Sequence, residues 1–596
     1  MCGIIGYTGV RPAAPLLLGG LGRLAYRGYD SAGLAVLGGA GRIVRCRAEG
    51  KLARLIEKCQ GGAEIPGTAG IGHTRWATHG APLEHNAHPH LDGGGRVAVV
   101  HNGIIENWRE LRRELASLGY AFSSETDSEV IVHLLARYLA EGYEPSEALR
   151  RTLSRLTGSY ALAVLFACEP GVLYGARRES PLLVGQGEGE MFLASDIPAI
   201  LPHTRLVWEP PTDEIVRLTP EGVTLPFSGE VPTFREVTWD AAAAERGGYA
   251  TFMEKEIYEI PAVVAHTAVC AEPLLPPALA GDLSGVVFVG CGSAYHVGLA
   301  GAYFGERLTG LPVRVVVASE FRYHPVPVSP RELVVAVSQS GETADTLAAL
   351  REAKRRGAYV LSIVNVVGST IARESDRVFY TQAGPEIAVA TTKAFCAQLV
   401  AVYRLFAEIA AAKRGRAAAG EVRAGLGEVP DAVRRVLAER DCICRMAHSI
   451  ARAESAFFIG RGADYPACLE GSLKLKEISY LHAEAYPAGE LKHGTISLVT
   501  PGVPVIALTT QSALVAKTLS GVEEVHARGA EVYLFADETL TADAPVSARF
   551  ALPHIAEPLM PLPAAVAFEL LALEVAAERG LDPDMPRNLA KSVTVE

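Results

Sequence analysis

An α+β domain followed by two α/β doubly wound domains is the fold this sequence predicts. Three observations carry that reading. Up to Leu225, short strand patterns broken by Gly and Asn alternate with helical ones. Beyond Leu283, continuous apolar runs ending in Gly or polar residues alternate with helices. That second style then returns at an offset of 170 residues.

In the front part, strands are expected over residues 33–37, 97–100, 160–166 and 191–194, with a helix over 128–141. Sheet layers under helices fit this alternation. From Phe227 to Glu245 periodicity fades and Pro, Gly and Ala collect, which predicts a linker. In the back part, 286–290, 313–318, 333–337 and 359–364 are predominantly apolar, interrupted only by Arg314 and Ser362, as expected of strands in a parallel sheet covered on both faces. Phe288-Val-Gly-Cys-Gly292-Ser-Ala-Tyr295 is echoed by Phe458-Ile-Gly-Arg-Gly462-Ala-Asp-Tyr465, and Val334-Val-Ala-Val by Val505-Ile-Ala-Leu. A match in both strand and turn makes a duplicated domain the better account. An Ala- and Arg-rich helical stretch, 407–452, joins the copies. The expected boundaries are 2–220 for the first domain, 221–277 for the link, 278–417 and 446–586 for the two copies, and 587–596 for a tail.

The 596 residues are too many for one core. A net charge of −11 disfavours nucleic acid as a partner, although it leaves room for a local phosphate pocket. No run of about 18 apolar residues and no secretory signal stand out, so no membrane span is expected. Ten cysteines are scattered, and Cys442 and Cys444 lack zinc-ligand spacing. A reduced, cytoplasmic protein is the expectation.

Cys2 follows the initiator Met. Removal of Met1 would leave a thiol and a free α-amine on one residue, and that amine, with an ordinary pKa near 8, can take the thiol proton. Around it stand Cys2-Gly3-Ile4-Ile5-Gly6, Arg27-Gly28-Tyr29-Asp30-Ser31-Ala32-Gly33, Gly72-His73-Thr74-Arg75-Trp76-Ala77-Thr78-His79-Gly80, His101-Asn102-Gly103 and Glu125-Thr126-Asp127-Ser128-Glu129. With these blocks in order, residues 2–220 resemble the class II glutamine amidotransferases, whose fold is an αββα sandwich of the N-terminal-nucleophile (Ntn) type. The residue types suit the chemistry. Arg75 can fork onto the glutamine carboxylate, and Asp127 can pair with the ammonium. The Asn102 amide and the Gly103 N–H suit an oxyanion hole, expected in a loop just past a strand. The resemblance implies that Trp76, Thr78 and His79 also line the glutamine site. Taken singly, Arg75 reads equally as a surface ion pair, Asp127 as a helix N-cap, and Asn-Gly as a turn.

In the first back copy, Ser338-Gln339-Ser340-Gly341-Glu342-Thr343 lies between a strand and a helix, where hydroxyls and the helix dipole make an anion site. Alternatively it is a polar N-cap box. The motif resembles the SIS (sugar isomerase) domain, which is flavodoxin-like. That implies sugar-phosphate binding by Ser338, Ser340 and Thr343, with Gln339 at the sugar. In the second copy, Glu470, Lys474 and Glu477 share a helix face. They read as a solvated charge stripe or as a site in which Glu477 is a proton-moving base.

Glu490-Leu-Lys492-His493-Gly494 and the terminal Pro586-Arg587-Asn588-Leu589-Ala590-Lys591-Ser592 extend the likeness, so that the whole chain resembles the glutamine–fructose-6-phosphate aminotransferase family. That resemblance implies glutamine and fructose 6-phosphate as substrates, a homodimer, and no need for a metal or organic cofactor. It makes Cys2 the thioester-forming nucleophile, Trp76 an ammonia gate and His493 a ring-opening residue, in some cases from a neighbouring subunit. It makes Lys591 a Schiff-base former, Glu477 the C1–C2 proton carrier with Lys474 close by, and the tail a cover over the sugar. Two positions depart. Ala294 stands where a sugar-contacting hydroxyl is usual, so that hydrogen bond is either missing or replaced by Ser293, and Ile260 stands where Gln is expected. The competing readings are an amidotransferase with another phosphosugar acceptor, and a phosphosugar-binding regulator without activity.

Overall fold

The computed structural model describes residues 2–38, 41–237, 246–270, 272–324, 327–541 and 543–594. The chain divides into two compact units, one of Met1–Ala244 with Ala590–Glu596, the other Glu245–Leu589.

The first unit is built on two antiparallel sheets. The eight-stranded sheet runs Arg235–Glu236, Leu206–Trp208, Leu183–Gly187, Glu190–Ala194, Gly3–Thr8, Ala69–Arg75, Ser31–Leu37, Ile43–Glu49. The six-stranded sheet runs Gly222–Thr224, Ile215–Thr219, Leu173–Arg178, Gly158–Phe166, Val97–Ile105, His90–Leu91. Ile4, Ile71, Val100 and Leu165 share one buried cluster drawn from both sheets. Separate clusters pack helix Ala13–Arg23 on one sheet and helix Glu129–Ala140 on the other. That is the layered α+β sandwich, and the expected strands fall inside observed ones.

The second unit holds two five-stranded parallel sheets of identical order. One reads Val313–Val317, Gly285–Gly290, Glu332–Ser338, Tyr359–Val364, Arg377–Tyr380, and the other His482–Pro487, Ser455–Gly460, Pro504–Thr509, Glu531–Asp537, Ala548–Leu552. Their central pairs also agree in register, Val289 with Ala336 and Ile459 with Ala507. The copies share a single buried cluster that takes in Phe288 and Phe458 together with helices Lys393–Arg414, Arg416–Ala438 and Pro561–Glu578.

Two expectations differ from this picture. The stretch 221–277 is more than a link: Arg235–Glu236 closes a sheet edge, and helix Phe252–Val269 buries Met253, Ile257 and Ile260 in the second unit. An apolar stripe at helical spacing overrode the Pro and Gly that suggested a linker; residues 238–245 lie outside the described ones. Two helices, Lys393–Arg414 and Glu557–Glu578, do have the length and hydropathy of a membrane span, but 89% and 94% of their most apolar windows are buried inside the unit. Each is accounted for as a core helix.

Candidate active sites

Strand Gly3–Thr8 runs antiparallel to Ala69–Arg75 with Gly3 opposite Thr74, which delivers Cys2 to Arg75 and Trp76. The Trp76 N–H donates to Cys2 Sγ at 3.2 Å, and Asn102 Nδ2 donates to the Cys2 carbonyl at 2.8 Å. Burial pushes the Cys2 thiol up, while the Trp76 amide and the Arg75 charge pull it down. Met1, whose removal the amine-base reading needs, lies outside the described residues.

Asn102 and Gly103 lie within strand Val97–Ile105, not in a loop past its end. Pairing with Gly158–Phe166 continues to Ile105, so the polar pair is held by a ladder on one side. Gly103 takes φ +129°, and a Cβ there would sit 2.1 Å from the Ser159 carbonyl oxygen, so only glycine fits. This also removes the turn reading of Asn-Gly.

Arg75 is buried rather than at the surface, and it donates to the carbonyls of His79, Gly80 and Ala81. Its guanidinium therefore shapes the loop that carries Thr78 and His79. Asp127 does not cap helix Glu129–Ala140; its carboxylate accepts the Ile105 N–H at 2.8 Å. Trp76 and His79 are half-buried and Thr78 is exposed. Asp30 accepts the Ala77 N–H at 2.8 Å, and its own N–H donates to the Arg75 carbonyl at 2.9 Å, tying the two blocks together.

In the second unit, Ser338 ends its strand and Thr343 precedes helix Ala344–Arg355. The Ser338 and Thr343 hydroxyls are 3.0 Å apart, and Ser338 Oγ accepts the Gly341 N–H at 3.1 Å. Ser340 Oγ accepts the Glu342 N–H at 3.2 Å. Gly341 has φ +66°, and a Cβ would meet Ser369 Oγ at 1.9 Å. The turn is thus a tight hydroxyl-rich loop at the carboxyl end of a parallel strand, where such folds take ligands. The Gln339 backbone carbonyl accepts the Asn365 N–H at 3.1 Å.

Glu470 and Lys474 are fully buried, so the solvated-stripe reading fails for them. Lys474 Nζ lies 2.7 Å from Glu477 and 3.4 Å from Glu470. Glu470 also receives Ser293 Oγ and His296 Nδ1 at 2.8 Å each, which bridges the copies and commits the Ser293 hydroxyl proton to a carboxylate. Burial alone would raise the Glu470 carboxyl, but Lys474 and His296 hold it below its ordinary range. Burial would lower Lys474, and Glu477 and Glu470 instead hold it above its ordinary value. Glu477 is only partly buried. His493 ends the turn Glu490–His493 and is exposed. Lys591 is half-buried in the segment grouped with the first unit.

Sequence reasoning passed over His73, Asp30, His296 and the role of Glu470. His73 and Arg75 alternate along one strand, so period two placed them on the same face. No comparable signal linked His296 to Glu470, since the contact spans 174 residues.

A cysteine at the end of a sandwich strand beside an amide-and-glycine pair, in a chain that also carries a duplicated parallel-sheet module with a hydroxyl loop, defines a glutamine amidotransferase joined to a sugar-phosphate module. Comparison agrees part by part. Residues 73–202 match a glutamine amidotransferase domain, and 284–408 and 449–561 match the SIS domain. The glutamine–fructose-6-phosphate aminotransferase (isomerizing) of Symbiobacterium thermophilum is 50% identical over the full length of both chains, and that of Methanothermobacter thermautotrophicus 46%. The C-terminal domain of glucosamine-fructose-6-phosphate aminotransferase from Francisella tularensis superposes with a TM-score of 0.54 at 37% identity, covering 57% of this chain and 99% of that one. The chain belongs to the glutamine–fructose-6-phosphate aminotransferase (isomerizing) family.

Proposed function

We propose that this chain is an enzyme that converts fructose 6-phosphate and glutamine into glucosamine 6-phosphate and glutamate. The observation that supports the reading most directly is Cys2 Sγ held by the Trp76 N–H beside Asn102. Cys2 attacks the side-chain amide carbon of glutamine, and the oxyanion is met by Asn102 Nδ2 and the Gly103 N–H, each such donor contributing about 3–4 kcal/mol. Collapse expels ammonia and leaves a thioester, which water hydrolyses to glutamate. The α-amine exposed by Met1 removal accepts the thiol proton and returns it to the leaving nitrogen. Arg75 and Asp127 hold the carboxylate and ammonium of glutamine. Arg75 Nη2 donates to two loop carbonyls as the site stands, so its fork onto a carboxylate requires the 79–81 loop to shift.

The phosphate of the sugar binds at Ser338, Ser340 and Thr343 with Gln339 at the sugar, and Ser293 supports the site through Glu470. His493 opens the ring and serves a partner chain in a homodimer. Lys591 forms a Schiff base with the open ketose, ammonia displaces it, and Glu477 carries the proton between C1 and C2 with Lys474 fixing its position. Trp76 gates the ammonia, and the tail residues exclude water from the imine. The ten free cysteines suit a reducing, cytoplasmic setting.

The test is incubation with both substrates and with each alone. Glucosamine 6-phosphate and glutamate should form together in a one-to-one ratio. Glutamate without amino sugar points to another acceptor, and sugar-phosphate binding without either product points to a regulator.

A further inference from the structure

We propose that His73 is a positioning residue for glutamine hydrolysis, its Nε2–H fixing the Asn102 side-chain amide with Nδ2 turned toward Cys2. The inference deepens the reading above and rests on Asn102 as an oxyanion donor.

The hydrogen bonds leave one self-consistent assignment. His73 Nε2 lies 3.1 Å from the His101 carbonyl oxygen and 3.0 Å from Asn102 Oδ1. A backbone carbonyl only accepts, so Nε2 must carry the proton and share it between both oxygens. Asn102 Nδ2, at its other end, donates to the Cys2 carbonyl, again a pure acceptor. Turning the amide over would set oxygen against the Cys2 carbonyl and N–H against the Nε2–H. Two buried contacts would be lost and two repulsions gained. One hydrogen of Nδ2 is spent on Cys2 and the other remains for the developing oxyanion.

The surroundings keep His73 in this single form. The ring is buried, and burial pushes its pKa down to about 3, with His101 and Arg75 adding to the fall against the bonds to Asn102 and His101. It is therefore neutral at working pH. Among the described residues Nδ1 has no hydrogen-bond partner, and its ring neighbour His88, with centroids 4.3 Å apart, has none on either nitrogen. No described residue on that side competes for the proton. With its pKa so far down the ring is a poor base, and its hydrogen bonds reach the Asn102 amide and the His101 carbonyl through Nε2–H.

The test separates donor from ring. His73→Phe keeps a flat ring against His88 and removes the donor; His73→Gln loses the ring and returns an N–H at similar reach. In the full chain, His73→Phe should lower glutaminase kcat by about 10- to 100-fold, with KM for glutamine within about threefold and Cys2 alkylation by iodoacetamide unchanged. His73→Gln should recover to within about fivefold of wild type. In an Asn102→Ala background, His73→Phe should cost no more than about twofold further. Phe at wild-type rate, Gln no better than Phe, or losses that multiply in the double variant each overturn the proposal while leaving the oxyanion role of Asn102 standing. Asn102→Ala at wild-type rate overturns both. Should the Phe variant not fold, ¹⁵N spectra of the wild-type histidines decide. His73 must show a protonated Nε2 and a bare Nδ1, unchanged from about pH 5 to about pH 8; the opposite tautomer overturns it.

Discussion

Replacing Lys474 by Met removes one cation from a fully buried place and leaves its partners behind. In the intact protein Nζ stands 2.7 Å from Glu477 and 3.4 Å from Glu470. The Glu477 side chain is partly open to solvent, but Glu470 is not, and among the described residues it keeps Ser293 and His296. Orphaning a buried charge costs about 3–5 kcal/mol. The loss should depend on pH. With Lys474 present, Glu470 is held below its ordinary pKa, so its contribution is present above the unfolded value and fades as pH falls. Without Lys474, the burial that raises the Glu470 carboxyl loses its strongest opposing charge. A raised carboxyl favours folding at low pH and loses that advantage as pH rises. The penalty of Lys474→Met should therefore be greater at pH about 7.5 than at pH about 5. Urea unfolding at the two values measures it, with glutamine hydrolysis as a control on the first unit. Adding Glu470→Gln should recover part of the loss by removing the stranded charge. A penalty below about 1 kcal/mol, equal at both pH values, refutes the picture of a balanced buried network.

Three further outcomes are expected. Cys2→Ala should abolish glutamate release while leaving fructose 6-phosphate binding, measured by calorimetry, at its wild-type affinity. Lys591→Ala should retain glutaminase turnover and lose amino-sugar synthesis in a coupled assay; synthesis at the normal rate excludes the Schiff-base role. Asp464, which accepts the Thr510 N–H at 2.9 Å, is pushed up to about 7, mainly by burial. Its contribution to stability thus falls as pH rises from about 4 to about 7, so Asp464→Asn should gain about 1–3 kcal/mol relative to wild type on going from pH about 4 to pH about 8, read from melting curves.

Much of this was legible in the sequence because the period of apolar residues is a local property. The run 359–364 became strand Tyr359–Val364 without adjustment, and 128–141 became helix Glu129–Ala140. The matching registers of the two parallel sheets follow from the repeat at 170 residues. Long-range pairing was not legible. Asn102 and Gly103 looked like a loop because their types favour turns, yet the ladder with Gly158–Phe166 carries them as strand. Asp127 reads in the sequence as an ammonium partner or, taken singly, as a cap; its bond to the N–H of Ile105, 22 residues away, has no local signal. The Pro- and Gly-bearing stretch before Phe252 concealed the start of a core helix.

The apolar cluster common to both halves of the second unit has a consequence for how that unit fails. Helices Lys393–Arg414 and Pro561–Glu578 are greasy enough to partition into lipid, and each is hidden only because the rest of the unit closes around it. A fragment ending between the repeats would bare one such surface to water and should aggregate before it could work alone. With their interiors merged in one cluster, the two copies should melt as one cooperative body.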